Sequence, residues 1–95
     1  PPNGPYRPGG GRPPNFRPVP APRWRYPPGY NYRRWSPGLF LPSLFLTQTY
    51  FYDDYWRMGL GGPPYGYRWV RYGPDLLLVE LNTGRIVDVI YGAFY

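Results

Sequence analysis

The groups able to do chemistry in this 95-residue chain are few. It has no His, Cys or Lys, which removes the usual general base, thiol nucleophile and Schiff-base amine. Ser36 and Ser43 have no base beside them in sequence. Asp53-Asp54 is the only acidic pair, and adjacent side chains usually point apart, so these two are expected to cap a helical turn and face solvent. Gly9-Gly10-Gly11 lies in low-complexity sequence, without the strand and helix that a phosphate-cradling loop needs on either side. The expectation is a non-enzymatic chain with no cofactor and no small-molecule substrate.

Metal chemistry is equally short of ligands. The candidate donors are Asp53, Asp54, Asp75, Glu80, Asp88 and Met58, together with the termini. Nickel and cobalt sites draw first on imidazole or thiolate, and a hard cation has only Asp53 and Asp54 as a weak adjacent pair. No resident metal is expected.

The chemistry that is abundant is cationic and aromatic. All eleven basic residues are arginine, and seven of them fall in residues 1–38, which hold no acid. That stretch carries +7, and the remainder, with four Arg against five acids, carries −1, which together make the +6 of the chain. Arginine and aromatic residues interleave, as in Arg23-Trp24-Arg25-Tyr26 and Tyr32-Arg33-Arg34-Trp35. A solvating linker has few aromatics. Arg7, Arg12, Arg17, Arg23, Trp24, Arg25, Tyr26, Arg33, Arg34 and Trp35 are therefore candidates for binding a partner or a polyanion, either nucleic acid or acidic polysaccharide, through charge, cation–π and stacking contacts.

Two regions must position these groups. Residues 1–38 hold 12 of the 16 prolines, so they favour polyproline II and turns over helix or central strand, and read as an irregular arm. Residues 39–95 read as a small β module, near the lower size at which a core forms unaided, and no disulfide can help. Within it, Leu39 to Tyr52 is uncharged and rich in β-formers. It is expected to be a first strand of the sheet or, alternatively, a strand exchanged with another copy through Leu44, Phe45, Leu46, Tyr50, Phe51 and Tyr52. Asp53 to Leu60 predicts one short helical turn ended by Gly59.

The last third predicts an antiparallel meander. Tyr65, Tyr67 and Trp69 alternate with Gly66, Arg68 and Val70, Gly73-Pro74 turns, Leu76 to Leu81 is a second run, and Asn82-Thr83-Gly84 leads into Arg85 to Tyr91. A three-residue loop with Gly84 left-handed sets Leu81 opposite Arg85, Val79 opposite Val87 and Leu77 opposite Val89. One face is then apolar and the other, with Asp88 and Glu80, is mixed. The expected core is Trp69, Leu77, Val79, Leu81, Val87 and Val89. The fold class is mainly β, three to four strands with one short helical turn, preceded by the arm.

The phrases GLFLP, FYDDYWRMGL, PPYGYRWVRYG and LLLVELNTGRIVDVIYG, in this order over residues 38–95, resemble the RcnB-like family. These are small exported bacterial proteins named after a nickel/cobalt homeostasis protein. The resemblance implies a periplasmic or extracellular location. The start at Pro1 rather than Met fits removal of an export signal. No apolar run is long enough to span a membrane. Where the family pattern after Leu-Pro is polar, this chain has Leu44, Phe45 and Leu46, which suggests an interface.

Three functions fit. The first is a structural protein that self-assembles, as a homo-oligomer or filament, through the arm and strand exchange. The second is a periplasmic accessory protein of nickel/cobalt homeostasis that acts on a protein partner. The third is a coat for a polyanion.

Overall fold

Three antiparallel strands form a sheet in the order β1-β2-β3 in the computed structural model, which describes residues 6–9 and 12–95. Residues 1–5, 10 and 11 of the arm, including two glycines of Gly9-Gly10-Gly11, lie outside the described residues. The strands are β1, Tyr67–Tyr72, β2, Asp75–Glu80, and β3, Ile86–Ile90. Short 3-10 turns at Ser43–Phe45 and Tyr55–Met58 are the helical elements of the described residues. The fold is therefore mainly β, as the residue pattern predicts.

Gly73-Pro74 joins β1 to β2 as a two-residue loop, with Tyr72 paired to Asp75. Gly73 takes φ +59°, the positive angle such tight hairpins demand of a central residue. The second hairpin differs from its predicted register near the turn. Leu76 pairs with Ile90, Leu77 with Val89 and Leu78 with Asp88, as expected, but Val79 pairs with Ile86. The loop is four residues long, because Glu80 N donates to Arg85 O and Gly84 N donates to Glu80 O. The extra loop residue is absorbed by a bulge at Val87, after which the pairing is the predicted one.

That slip corrects part of the expected core. Leu81 is 37% exposed in the loop, while Trp69, Leu77 and Val79 are buried. Val87 and Val89 are half-buried, and Val87 packs against the cluster of Trp69, Leu76, Leu78 and Ile90 rather than with Leu77 and Val79.

The sheet also lacks the expected mixed face. β2 is buried at every position from Asp75 to Val79, where a one-faced sheet would alternate. One face carries Trp69, Leu76, Leu78 and Ile90 under Tyr6, Met58, Leu60 and Phe94. The other carries Val70, Tyr72, Leu77, Val79 and Ile86 under Trp35, Leu41 and Phe45. A three-stranded sheet this small could not bury both faces itself, and the covering groups come from the arm, residues 39–60 and the tail.

Residues 39–52 are not a strand, which corrects the first-strand expectation. The segment makes isolated bridges, Phe40 with Arg85 and Phe51 with Val70. Pro42 interrupts it, and the 3-10 turn after Pro42 drives Phe45 into the core. Its two ends nevertheless cover the outer strands: Ile86 N donates to Leu39 O (2.8 Å) along β3, and Tyr52 N donates to Trp69 O (2.8 Å) along β1.

Candidate functional site: an arginine-coated arm latched to the sheet

The arm packs against the module, and its described part makes specific bonds along its length. Tyr6 N donates to Gly62 O and Arg17 N to Met58 O. Val19 runs parallel to Phe94, with Val19 N donating to Ala93 O (2.9 Å) and Ala21 N to Tyr95 O (2.8 Å). Gly38 N likewise donates to Ile86 O (2.8 Å), and the prolines between lack the donor for a continuous ladder, so among the described residues the arm pairs only at scattered positions.

Two buried carboxylates anchor the arm. Asp88 is 7% and Asp75 3% exposed, and among the described residues neither has a cationic partner. The Tyr6 hydroxyl donates to Asp88 Oδ2 at 2.5 Å, and Gly9 N donates to the same oxygen at 3.0 Å. The Tyr32 hydroxyl donates to Asp75 Oδ2 at 2.6 Å, while Gly92 N donates to Oδ1 at 3.0 Å. Lengths of 2.5–2.6 Å are those of charge-assisted O–H···O⁻ bonds. Burial, then the bond to Asp88 and then its charge push the Tyr6 phenol well above the ordinary tyrosine range. For Tyr32, burial, then the bond to Asp75 and then its charge raise the phenol to about 12. Tyr6 and Tyr32 were missed as site residues by sequence reasoning. The available signal was an aspartate between valines in IVDVI, a buried acid that must find donors somewhere.

The candidate arm residues divide cleanly. Arg7, Arg12, Arg17, Arg23, Arg25, Arg33 and Arg34 are exposed, whereas Trp24 and Tyr26 are half-buried and Trp35 is buried. Trp24 packs against Tyr26, Phe45, Tyr50 and Tyr72 with ring centroids 4.7–6.2 Å apart. The aromatic groups read as adhesive thus adhere to the chain's own sheet. Arg33 lies over Trp35 and Arg34 over Tyr91, and Arg12 lies over Phe16 and donates to Tyr91 O. Among the described residues the one ion pair is Arg68 with Asp53, at 3.2 Å. Among the described residues the arm arginines therefore form a cationic coat without carboxylate partners.

Of the candidates for self-association, Leu44 is exposed, Phe45 is fully buried, and Leu46, Tyr50, Phe51 and Tyr52 are half-buried. Asp53 and Asp54 are both exposed. Asp53 accepts from Gln48 Nε2 and Arg68. Asp54 stands at the start of the Tyr55–Met58 turn, but its side chain makes no cap bond, correcting the capping expectation. Gly59 ends that turn at φ +81°, as expected. Among the described residues no three of His, Cys, Asp and Glu cluster in a way that could hold a metal ion.

The sequence model of the family described as RcnB, nickel/cobalt transporter regulator, matches residues 38–88, more than half of the chain. The chain belongs to the RcnB family. The RcnB match spans both 3-10 turns, β1, β2 and the first part of β3, ending at Asp88. The arm that latches onto Asp88 lies outside it, as does the tail that pairs with Val19. No curated protein and no solved structure matches the chain. Among the described residues no helix is long and apolar enough to cross a membrane.

Proposed function

We propose that the chain is a non-enzymatic periplasmic accessory protein of nickel/cobalt homeostasis, acting on a protein partner rather than holding the metal itself. The observation that carries this reading is an RcnB-family match on a chain without a single His or Cys. Its carboxylates are largely committed: Asp75 and Asp88 to the arm tyrosines, Asp53 to Arg68 and Glu80 to the Thr83 hydroxyl. Met58, the one soft donor, is fully buried in the core, and nickel and cobalt favour imidazole or thiolate over an exposed carboxylate such as Asp54.

The test pairs two measurements. In equilibrium dialysis, the purified chain is expected to show no saturable nickel or cobalt binding. Deleting its gene is expected to change nickel retention or tolerance in the cell. A stoichiometric micromolar site would overturn the metal-free mechanism, and an unchanged nickel response would overturn the assignment.

Self-assembly and polyanion coating, the other two readings of the residues, gain no support from this geometry. Exchange of the arm would first require breaking its bonds to Asp75, Asp88 and the tail. Strand exchange through residues 39–52 would uncover the Phe45 side of the core.

A further inference from the structure

We propose that the cleft formed by Arg23, Trp24, Arg25, Tyr26, Tyr30 and Asn31 docks an extended acidic peptide segment of the protein partner. This rests on the reading that the chain works through a protein partner, and it names the chemistry of that partner.

The cleft is an open groove of about 490 Å³, within the size range of ligand sites. Its floor is preformed. Trp24 is held by four ring contacts, and Tyr30 meets Phe45 edge-on at 5.0 Å. A rigid aromatic floor spares a ligand the cost of ordering it. Pro22, Pro27 and Pro28 pin the backbone on either side, and Tyr30 N donates to Pro27 O to close the bend.

Arg23 and Arg25 supply the charge. Both are exposed, and among the described residues neither has a carboxylate or an aromatic face as partner, unlike Arg12, Arg33 and Arg34, which lie over rings of their own chain. No acid lines the cleft. The exposed side chain of Asn31 offers both a donor and an acceptor to a peptide backbone.

Spacing favours a peptide over a nucleic acid. Arg23 and Arg25 are two residues apart on non-helical backbone, flanking the inward Trp24. In an extended peptide, carboxylates at alternate positions fall on one face about 7 Å apart, matching two guanidiniums spaced by one residue. A nucleic-acid strand needs a longer track of cations, and this cleft has two.

The test is fluorescence anisotropy of the full chain with a fluorescein-labelled decapeptide of alternating Glu and Thr, and with its Gln-Thr counterpart. The Glu-Thr peptide is expected to bind, and the Gln-Thr peptide to bind about tenfold more weakly or worse. R23Q/R25Q should weaken binding by about tenfold, while R57Q/R85Q, with the same loss of charge, should change it less than about twofold. Equal losses in the two double variants would overturn the site in favour of diffuse charge. Absence of binding, or displacement of the peptide by single-stranded DNA or heparin at lower charge-equivalent concentration, would overturn the acidic-peptide assignment. The variant also separates this inference from the reading beneath it. If deletion alters nickel response and R23Q/R25Q fully complements it, the cleft is wrong and the family role stands. If deletion has no effect, the family role itself fails.

Discussion

At the scale of residues, the two tyrosine–aspartate latches carry the attachment of the arm. A hydrogen bond to a charged group contributes about 1.5–3 kcal/mol net, and a buried partner left alone costs its desolvation. Tyr6→Phe is expected to lower stability within that range, because it strips Asp88 of its shortest donor. Asp88→Ala should cost at least as much, because it removes the buried carboxylate that accepts from both the Tyr6 hydroxyl and Gly9 N. Urea unfolding reads both, and a loss below about 0.5 kcal/mol would show the latch to be incidental. The latches also set a pH dependence. Tyr32 is raised from 10.0 to about 12, so the folded state holds this proton more tightly than the unfolded chain. Its contribution is full below pH 10.0 and is lost as pH rises through about 12. Stability should therefore fall over that interval, tracked by tyrosinate absorbance against circular dichroism, and Tyr32→Phe should flatten the fall.

Elements show which local rules held. Turn chemistry was legible: Gly73 and Gly84 stand at positive φ, at +59° and +78°, where the Gly-Pro and Asn-Thr-Gly stretches predict turns. A Cβ on Gly84 would stand 2.8 Å from Leu41 O, and the left-handed angle adds strain of roughly 1–2 kcal/mol. Gly84→Ala is expected to destabilise by at least that amount, read as a lower thermal midpoint. Loop length was not legible. Leu81 looked like the end of β2, but the chain leaves the ladder at Glu80 and recovers register through the bulge at Val87. Residues 39–52 failed as a strand for a related reason. β-propensity describes a side chain that fits a half-buried pleat, and here Pro42 and the 3-10 turn put Phe45 into a core pocket instead.

For the molecule as a whole, the arm completes the core. Trp35 is 4% exposed among Leu41, Phe45 and Tyr72. Trp35→Ala is expected to cost about 3–5 kcal/mol, the range for a buried aromatic, whereas a tether would lose nothing. Removing residues 1–37 entirely should leave residues 38–95 without cooperative unfolding and with dye-accessible apolar surface, seen by calorimetry and dye fluorescence. A sharp transition in that fragment would show that the module stands alone.

Local pattern alone determined the meander, the pairing of Leu76 to Leu78 with Asp88 to Ile90, the Gly59 stop, the family resemblance and the scarcity of catalytic groups. Each depends on neighbours a few residues apart, where strand period and turn chemistry act directly. Only the tertiary structure decided the fate of the arm. Its aromatic residues could have faced a partner, a polyanion or their own sheet, and composition is the same in all three cases. The choice was made by contacts across long stretches of chain, Tyr6 with Asp88 and Tyr32 with Asp75. They offset the desolvation of two buried carboxylates while the arm covers apolar surface that three strands leave bare.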